Sequence, residues 1–297
     1  MDPRRRALLA ALALSAAAKP GFAAMPTVSR KIPSTGEALP VIGLGTWQAF
    51  DVRGDTAALR EVMKTFAAMG GRVVDSSPMY GAAESVVGEL AAELDLRDKL
   101  FFATKVWTSG RAEGIRQMET SFKRMRVQRM DLLQVHNLVD IETHTATLLE
   151  MKAAQKTRYI GITHYSASAH DEAARWLKAQ PYDFLQINYS LAERNAEKAL
   201  LPLAIDRKVA VIANRPFGEG ALFRKVRGKP LPPWAAELGI ETWAQYFLKW
   251  IVSHPAVTCA IPGTGNPAHV KDNLGAGRGP LPDAAARERM AAHFESL

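Results

Sequence analysis

A chain of 297 residues, 47% of them hydrophobic, is long enough to bury a large core, and no internal repeat or low-complexity tract divides it. A single cysteine, Cys259, excludes an internal disulfide framework and a cysteine-rich metal site; in the apolar run Val257 to Ile261 it acts as a small hydrophobe. The formal net charge is +8, but no long Lys/Arg run or aromatic-interleaved basic stripe argues for a nucleic-acid partner.

The first residues differ in kind from the rest. Arg4-Arg5-Arg6 precedes an apolar stretch of small residues and leucines, Ala7 to Ala18, and small residues recur at Ala23-Ala24. A charged start, a short apolar run and a small-residue end make the pattern of a signal peptide, too short to span a bilayer comfortably. The paired arginines point to the twin-arginine route. Residues 1–24 are therefore expected to be a leader cleaved after Ala24, with Ala18 as the alternative, and residues 25–297 to be the working domain. The expected product is a mildly basic periplasmic protein with no stable membrane anchor, exported in folded form by the twin-arginine machinery.

Val28 to Ile32 and Ala38 to Ile42 flank Pro33-Ser34-Thr35-Gly36 and read as a β-hairpin. From Val41 onward short apolar runs alternate with amphipathic segments. The expected strands are Val41 to Leu44, Arg72 to Asp75, Leu100 to Thr104, Met130 to Val135, Tyr159 to Ile162, Phe184 to Ile187, Val209 to Ala213 and Val257 to Ile261. The expected helices are Ala57 to Ala68, Ala83 to Leu94, Ile115 to Met125, Thr143 to Ala154, Ala169 to Lys178, Lys198 to Ile205 and Thr242 to Val252; Ala268 to Leu274 begins a last one. Continuous apolar runs mark strands buried on both faces. About eight β–α units in alternation predict an α/β fold, a (β/α)8 TIM barrel with an N-terminal β-hairpin. No Gly-x-Gly-x-x-Gly follows an early strand, so an open-sheet dinucleotide site is not expected.

The active site of such a barrel forms at the carboxyl ends of its strands. Polar residues just past the apolar runs are Thr46 and Trp47, Asp75, Lys105, His136, His164, Gln186 and Asn188, and Asn214-Arg215, with Tyr80 five residues beyond Asp75. Asp75, Lys105, His136 and Tyr80 make a proton-transfer set. A tyrosine with an ordinary pKa of about 10 needs its phenolate stabilised, which a nearby ammonium does, lowering the pKa. An aspartate holds the lysine, and a neutral histidine hydrogen-bonds a carbonyl oxygen. Singly, each residue has a bland alternative: a cap, a surface charge, a packing ring, a core histidine. Their joint placement at consecutive strand ends favours chemistry. His136 and His144, eight apart with no flanking ligands, lack zinc spacing, and no metal is expected.

Over residues 28 to 276 the sequence resembles the aldo-keto reductases. The matching segments are Gly43-Leu44-Gly45-Thr46-Trp47, Asp75-Ser76-Ser77-Pro78-Met79-Tyr80-Gly81, Thr104-Lys105-Val106-Trp107 and Asp131-Leu132-Leu133-Gln134-Val135-His136. The resemblance implies reduction of an aldehyde or ketone by NAD(P)H, with Tyr80 as general acid supported by Asp75, Lys105 and His136. It implies a substrate pocket lined by Trp47, Tyr80, Trp107 and His136, and cofactor contacts from Gly45, Thr46 and Trp47. Thr163-His164 stands where the family has Ser-Asn on the carboxamide, and Gln186 matches its glutamine. The segment Pro262-Gly263-Thr264 through His269 and Asn273 is similar to the one that holds the adenosine phosphate, and backbone amides at a Gly-rich helix start suit a phosphate in any case.

The sequence departs from the family at several points. Asn214-Arg215-Pro216-Phe217 replaces the segment whose aromatic ring stacks on the nicotinamide, which leaves Phe217 or another ring to substitute. Basic residues near the 2′-phosphate are reduced to His269 and Lys271, so NADPH is the expected cofactor with NADH left open. The basic segment Phe223 to Lys229 reads either as a cover over the pyrophosphate or as a solvated loop. Two rival functions remain at this level: a nicotinamide-binding redox-sensing or partner-docking subunit with little turnover, and a barrel enzyme of isomerase or lyase type.

Overall fold

The computed structural model describes residues 26–297, and the expected leader lies outside the described residues. A hairpin, β1 (Ser29–Lys31) and β2 (Ala38–Pro40), pairs antiparallel with Arg30 opposite Leu39. Eight parallel strands follow: β3 (Leu44–Gly45), β4 (Val73–Asp75), β5 (Phe101–Val106), β6 (Met130–His136), β7 (Thr157–His164), β8 (Phe184–Asn188), β9 (Ala210–Asn214) and β10 (Val257–Ala260). The intervening helices are α1 (Ala57–Ala68), α2 (Ala83–Glu93), α3 (Arg111–Met125), α4 (Ile141–Ala153), α5 (His170–Ala179), α6 (Leu200–Asp206), α7 (Ala221–Lys225), α8 (Trp243–Val252) and α9 (Pro267–Gly275). The expected (β/α)8 order is the observed one.

The sheet closes on itself between its first and last strands. Gly43 N donates to Ala260 O at 2.8 Å, Ala260 N to Val41 O at 2.9 Å, and Gly45 N to Pro262 O at 3.1 Å. Gly45 is required at this seam, because a Cβ there would lie 2.8 Å from the carbonyl oxygen of Ile261. The expected strand from Val41 shrinks to Leu44–Gly45, with Ile42 retained as a single bridge to Ala260.

Two apolar cores follow from the alternation of side chains across each strand. Val74, Phe102, Leu133, Val135, Ile160, Ile162, Leu185 and Ile187 face outward, under the helices. Val73, Phe101, Ala103, Leu132, Tyr159, Phe184, Ala210, Ile212 and Cys259 face inward, joined by Ile32 and Leu39 of the hairpin. The hairpin thus caps the amino end of the barrel. The Tyr159 hydroxyl lies 2.8 Å from Thr35 Oγ1 and donates to Glu37 Oε2 at 2.9 Å, while Arg72 and Arg158 pair with the same carboxylate. The inward side chains of Asp75, Lys105, Gln134, His136, Thr163 and Gln186 lie farther along the strands, toward the opposite end.

The C-terminal part adds two features to that order. A further helix, α10 (Ala284–Glu295), follows α9. It starts with Asp283 accepting from Ala286 N at 2.8 Å and packs Met290, Ala291 and Phe294 inward; Phe294 meets Phe247 edge-on at 5.7 Å. The basic segment before α8 is short helix α7 plus a turn; Lys225 lies over the Phe294 ring at 4.6 Å and Lys229 pairs with the carbonyl of Leu297. Those charges serve the docking of α10.

Helices α2 and α3 approach so closely at Gly88 that an added Cβ would lie 2.1 Å from the carbonyl oxygen of Arg124. Gly88→Ala is expected to lower unfolding stability by about 1–3 kcal/mol, the usual effect of overpacking, as read from the urea midpoint.

Candidate active site

The pairing register sets the site. Asp75 stands opposite Gly45 and Ala103, Lys105 opposite Gln134, and His136 opposite Thr163, which is itself opposite Gln186. All share the inward parity of the lower apolar layer, so the upper barrel becomes a ring of polar side chains.

Its centre is a buried ion pair. Lys105 Nζ donates to Asp75 Oδ2 at 2.7 Å and to Ser76 O at 2.6 Å, and both side chains are essentially inaccessible. The other carboxylate oxygen, Oδ1, accepts from Gln186 Nε2 at 2.8 Å and Gln134 Nε2 at 3.4 Å. Thr163 Oγ1 donates to Gln186 Oε1 at 3.0 Å, so both ends of that amide are engaged. Burial works against the lysine charge, but the carboxylate of Asp75, the nearby Tyr80 and Glu84 outweigh it and raise the Lys105 pKa.

Tyr80 leans over this pair, with Lys105 Nζ 5.2 Å from its ring centroid and the His136 ring 6.1 Å away at 84°. The expectation that Lys105 lowers the phenol pKa holds for that one interaction and is reversed in sum. Burial is the largest influence and raises it, Lys105 pulls it down, Asp75 pushes it up again, and the net shift is upward. Tyr80 therefore holds its proton at neutral pH. His136 is neutral: burial first, then Lys105 and His164, push its pKa down to about 2. Cys259, below the site, has its thiol pushed up by burial and by Asp75, which leaves it unreactive.

These groups floor a cavity of about 610 Å3. Of the residues singled out in the sequence, Gly45, Thr46, Trp47, Asp75, Tyr80, His136, Thr163, Gln186, Asn214, Arg215, Pro216, Phe217 and Gly263 line it. Lys105 lies beneath the floor. The His164 ring is turned aside: Nδ1 accepts from Ser166 N at 3.0 Å and the ring stacks on Tyr165 at 5.3 Å. Trp107 stands outside the cavity, 41% exposed, its backbone N–H donating to Gln117 Oε1 at 2.6 Å. Pro262, Thr264, His269 and Asn273 lie beyond the lining, at and within α9, whose Asn266 cap accepts from Ala268 N at 2.9 Å.

Sequence reasoning missed Gln134, Tyr165 and Phe223. Gln134 was legible, being two residues before His136 and on the same strand face. Tyr165 lies in a loop, where no periodicity marks direction, and Phe223 in the five-residue helix α7, too short to show one.

A family model described as the aldo/keto reductase family matches residues 41–291. The methylglyoxal reductase YeaE of Escherichia coli is 30% identical over 247 residues, 79% of this chain and 84% of that protein. An aldo/keto reductase from Klebsiella pneumoniae, solved in complex with NADP and acetate, is 26% identical with a TM-score of 0.73 over 87% of this chain and 93% of its own. A second structure from that organism, in complex with NADPH, is 25% identical with a TM-score of 0.76 over 91% and 96%. The chain belongs to the aldo/keto reductase family. It is an NAD(P)H-dependent oxidoreductase of the carbonyl–alcohol type.

The histidines of this aldo/keto reductase give it an acid-sensitive fold. The folded-state pKa of His136 is depressed to about 2 and that of His254 to about 4, so the unfolded chain binds protons that the folded chain refuses. Stability is then undiminished above pH 6.5 and falls as pH drops below it. His136 alone is expected to account for about 2 kcal/mol between pH 7 and pH 5. His136→Asn should shrink the shift of the urea midpoint over that range by a corresponding amount; an unaltered shift would contradict the neutral burial.

Proposed function

We propose that this reductase converts an aldehyde or ketone to the alcohol with NADPH, Tyr80 giving the proton and Asp75, Lys105 and His136 supporting it. The observation that carries this reading is the buried Asp75–Lys105 pair lying directly under a protonated, cavity-facing phenol. When bound, NADPH supplies hydride to the carbonyl carbon. The carbonyl oxygen sits between the Tyr80 hydroxyl and the imidazole of His136, and takes the phenolic proton as negative charge builds on it. Lys105 stabilises the phenolate left behind, an effect strengthened by the burial of its ammonium. Asp75 keeps the ammonium charged and in place.

The residues present fit a nicotinamide dinucleotide. The cavity runs from Asp75, Tyr80 and His136 along Asn214, Arg215, Pro216 and Phe217 to Gly263, beside the first turn of α9. Thr163 and Gln186 would hold the carboxamide end without the ring of His164, which is turned aside, and Gly45, Thr46 and Trp47 the side facing the substrate. Phe217 and Tyr165 are the rings of the far wall that can take the place of the one absent at Asn214. Pro262, Gly263, Thr264, His269 and Asn273 would hold the adenosine phosphate, at the positive end of the α9 dipole. Trp47, Tyr80 and His136 are assigned to the substrate side; Trp107, outside the cavity, is not.

Tyr80→Phe is expected to cut kcat about 100- to 10,000-fold while leaving the quenching of NADPH fluorescence on binding unchanged. Turnover is measured as NADPH oxidation with a panel of carbonyls that includes methylglyoxal, the compound in the name of the Escherichia coli relative. Binding without turnover of any member, with Tyr80→Phe neutral, would favour the redox-sensing subunit; absence of NADPH binding would favour an isomerase or lyase.

The same proposal covers location: residues 1–24 as a twin-arginine leader and the barrel as a periplasmic protein exported with its nucleotide bound. Support comes from the charged, apolar and small-residue order of the leader, and from Thr27 and Val28 being already paired to Arg278 and Gly277. Replacing Arg4 and Arg5 by lysine is expected to retain the protein in the cytoplasm. A periplasmic fraction containing none of it, or only nucleotide-free protein, would count against the reading.

A further inference from the structure

Ser77 is fully buried between the two groups that flank the substrate carbonyl, and it touches both. Its carbonyl oxygen accepts from Tyr80 N at 3.0 Å, closing the turn that carries the acid; Pro78 inside the turn fixes one dihedral. Its hydroxyl oxygen lies 3.1 Å from His136 Nδ1. The same oxygen accepts from Met79 N at 3.5 Å.

These contacts decide where the histidine proton sits. A neutral imidazole carries one proton, on Nδ1 or on Nε2, and the two tautomers ask opposite things of Ser77. If Nδ1 bore the proton, the Ser77 oxygen would accept from both Nδ1 and Met79 N, and its own hydroxyl hydrogen would be buried with no acceptor. That omission costs about 1–3 kcal/mol. If Nδ1 is bare, the hydroxyl donates to it, accepts from Met79, and nothing is left unmatched. Nε2 then carries the proton, and among the described residues it has no protein partner while the ring lines the cavity.

We propose that Ser77 is a positioning residue that fixes the tautomer of His136, holding the proton on Nε2 as a donor to the substrate carbonyl. The proposal rests on the role assigned to His136 above. It ties the donor and the acid to one buried side chain: the same residue orients the imidazole through its hydroxyl and the phenol through its carbonyl. Neither contact touches substrate or cofactor, so the effect of Ser77 is transmitted through His136.

The test is a long-range proton–nitrogen NMR correlation of the histidine rings in the NADPH-bound protein, with His136 assigned from the spectrum of His136→Asn. The wild-type ring is expected to be the Nε2–H form. In Ser77→Ala the Nδ1–H form should appear and kcat should fall about 3- to 10-fold, the worth of one hydrogen bond, with NADPH affinity unchanged. Ser77→Thr, which keeps the hydroxyl, should restore both the wild-type tautomer and most of kcat. A wild-type ring protonated on Nδ1 overturns the proposal, and that spectrum decides the matter even if Ser77→Ala fails to fold. A Ser77→Ala protein with the wild-type tautomer and wild-type kcat overturns it equally. Loss of the proton-transfer reading itself would show instead as normal turnover in Tyr80→Phe, whatever the ring spectrum.

Discussion

An ammonium and a carboxylate shut away from water hold this site together. Separating either from solvent alone would cost several kcal/mol, and the pair is tolerable only because each partner is matched several times over. Lys105 reaches both Asp75 and the Ser76 carbonyl, and Asp75 spends its second oxygen on the amides of Gln186 and Gln134. Gln186 is in turn held by Thr163. Four adjoining strands and the one after them are thus tied through one carboxylate, which fixes the upper barrel around a charge. Removing either partner would leave an unmatched buried ion, so the site cannot lose this pair and keep its shape.

The charge also explains the protonation states around it. The phenol above stays protonated because burial and Asp75 outweigh the pull of Lys105, and the imidazole stays neutral because burial and the same lysine oppose a second cation. In the proposed reaction a proton is held on Tyr80 until a forming oxyanion can take it, while the cation that would stabilise the phenolate is already present and desolvated. The preorganisation is electrostatic and is built into the folded chain.

Much of this was legible before any coordinates. Apolar runs of four to six residues, ending at Asp75 and just before Lys105 and His136, placed the strands within a few residues, and barrel closure followed from their number. In the structure Lys105, Gln134, His136, Thr163 and Gln186 share one face with the apolar layer beneath, as period-two alternation requires. What stayed hidden depends on contacts that no local pattern encodes. The ring of His164 is at a strand end like His136, yet Ser166 and Tyr165 draw it away from the cavity. The helix α10 has weak amphipathicity and is held by partners distant in sequence, such as Phe247 and Lys225. The hydroxyl of Ser77 acquires meaning only when β6 brings His136 beside it.

The hairpin at the amino end has a kinetic consequence. With Ile32 and Leu39 packed into the barrel interior and the Glu37 carboxylate clamped by two arginines and a phenol, the barrel is blind at that end. Among the described residues the cavity meets solvent at the other end, where its lining residues Trp47, Tyr165 and Phe223 are exposed. Whatever seats deepest has to arrive first and depart last, so the plug that stabilises the bottom of the fold also imposes an order of traffic at the top.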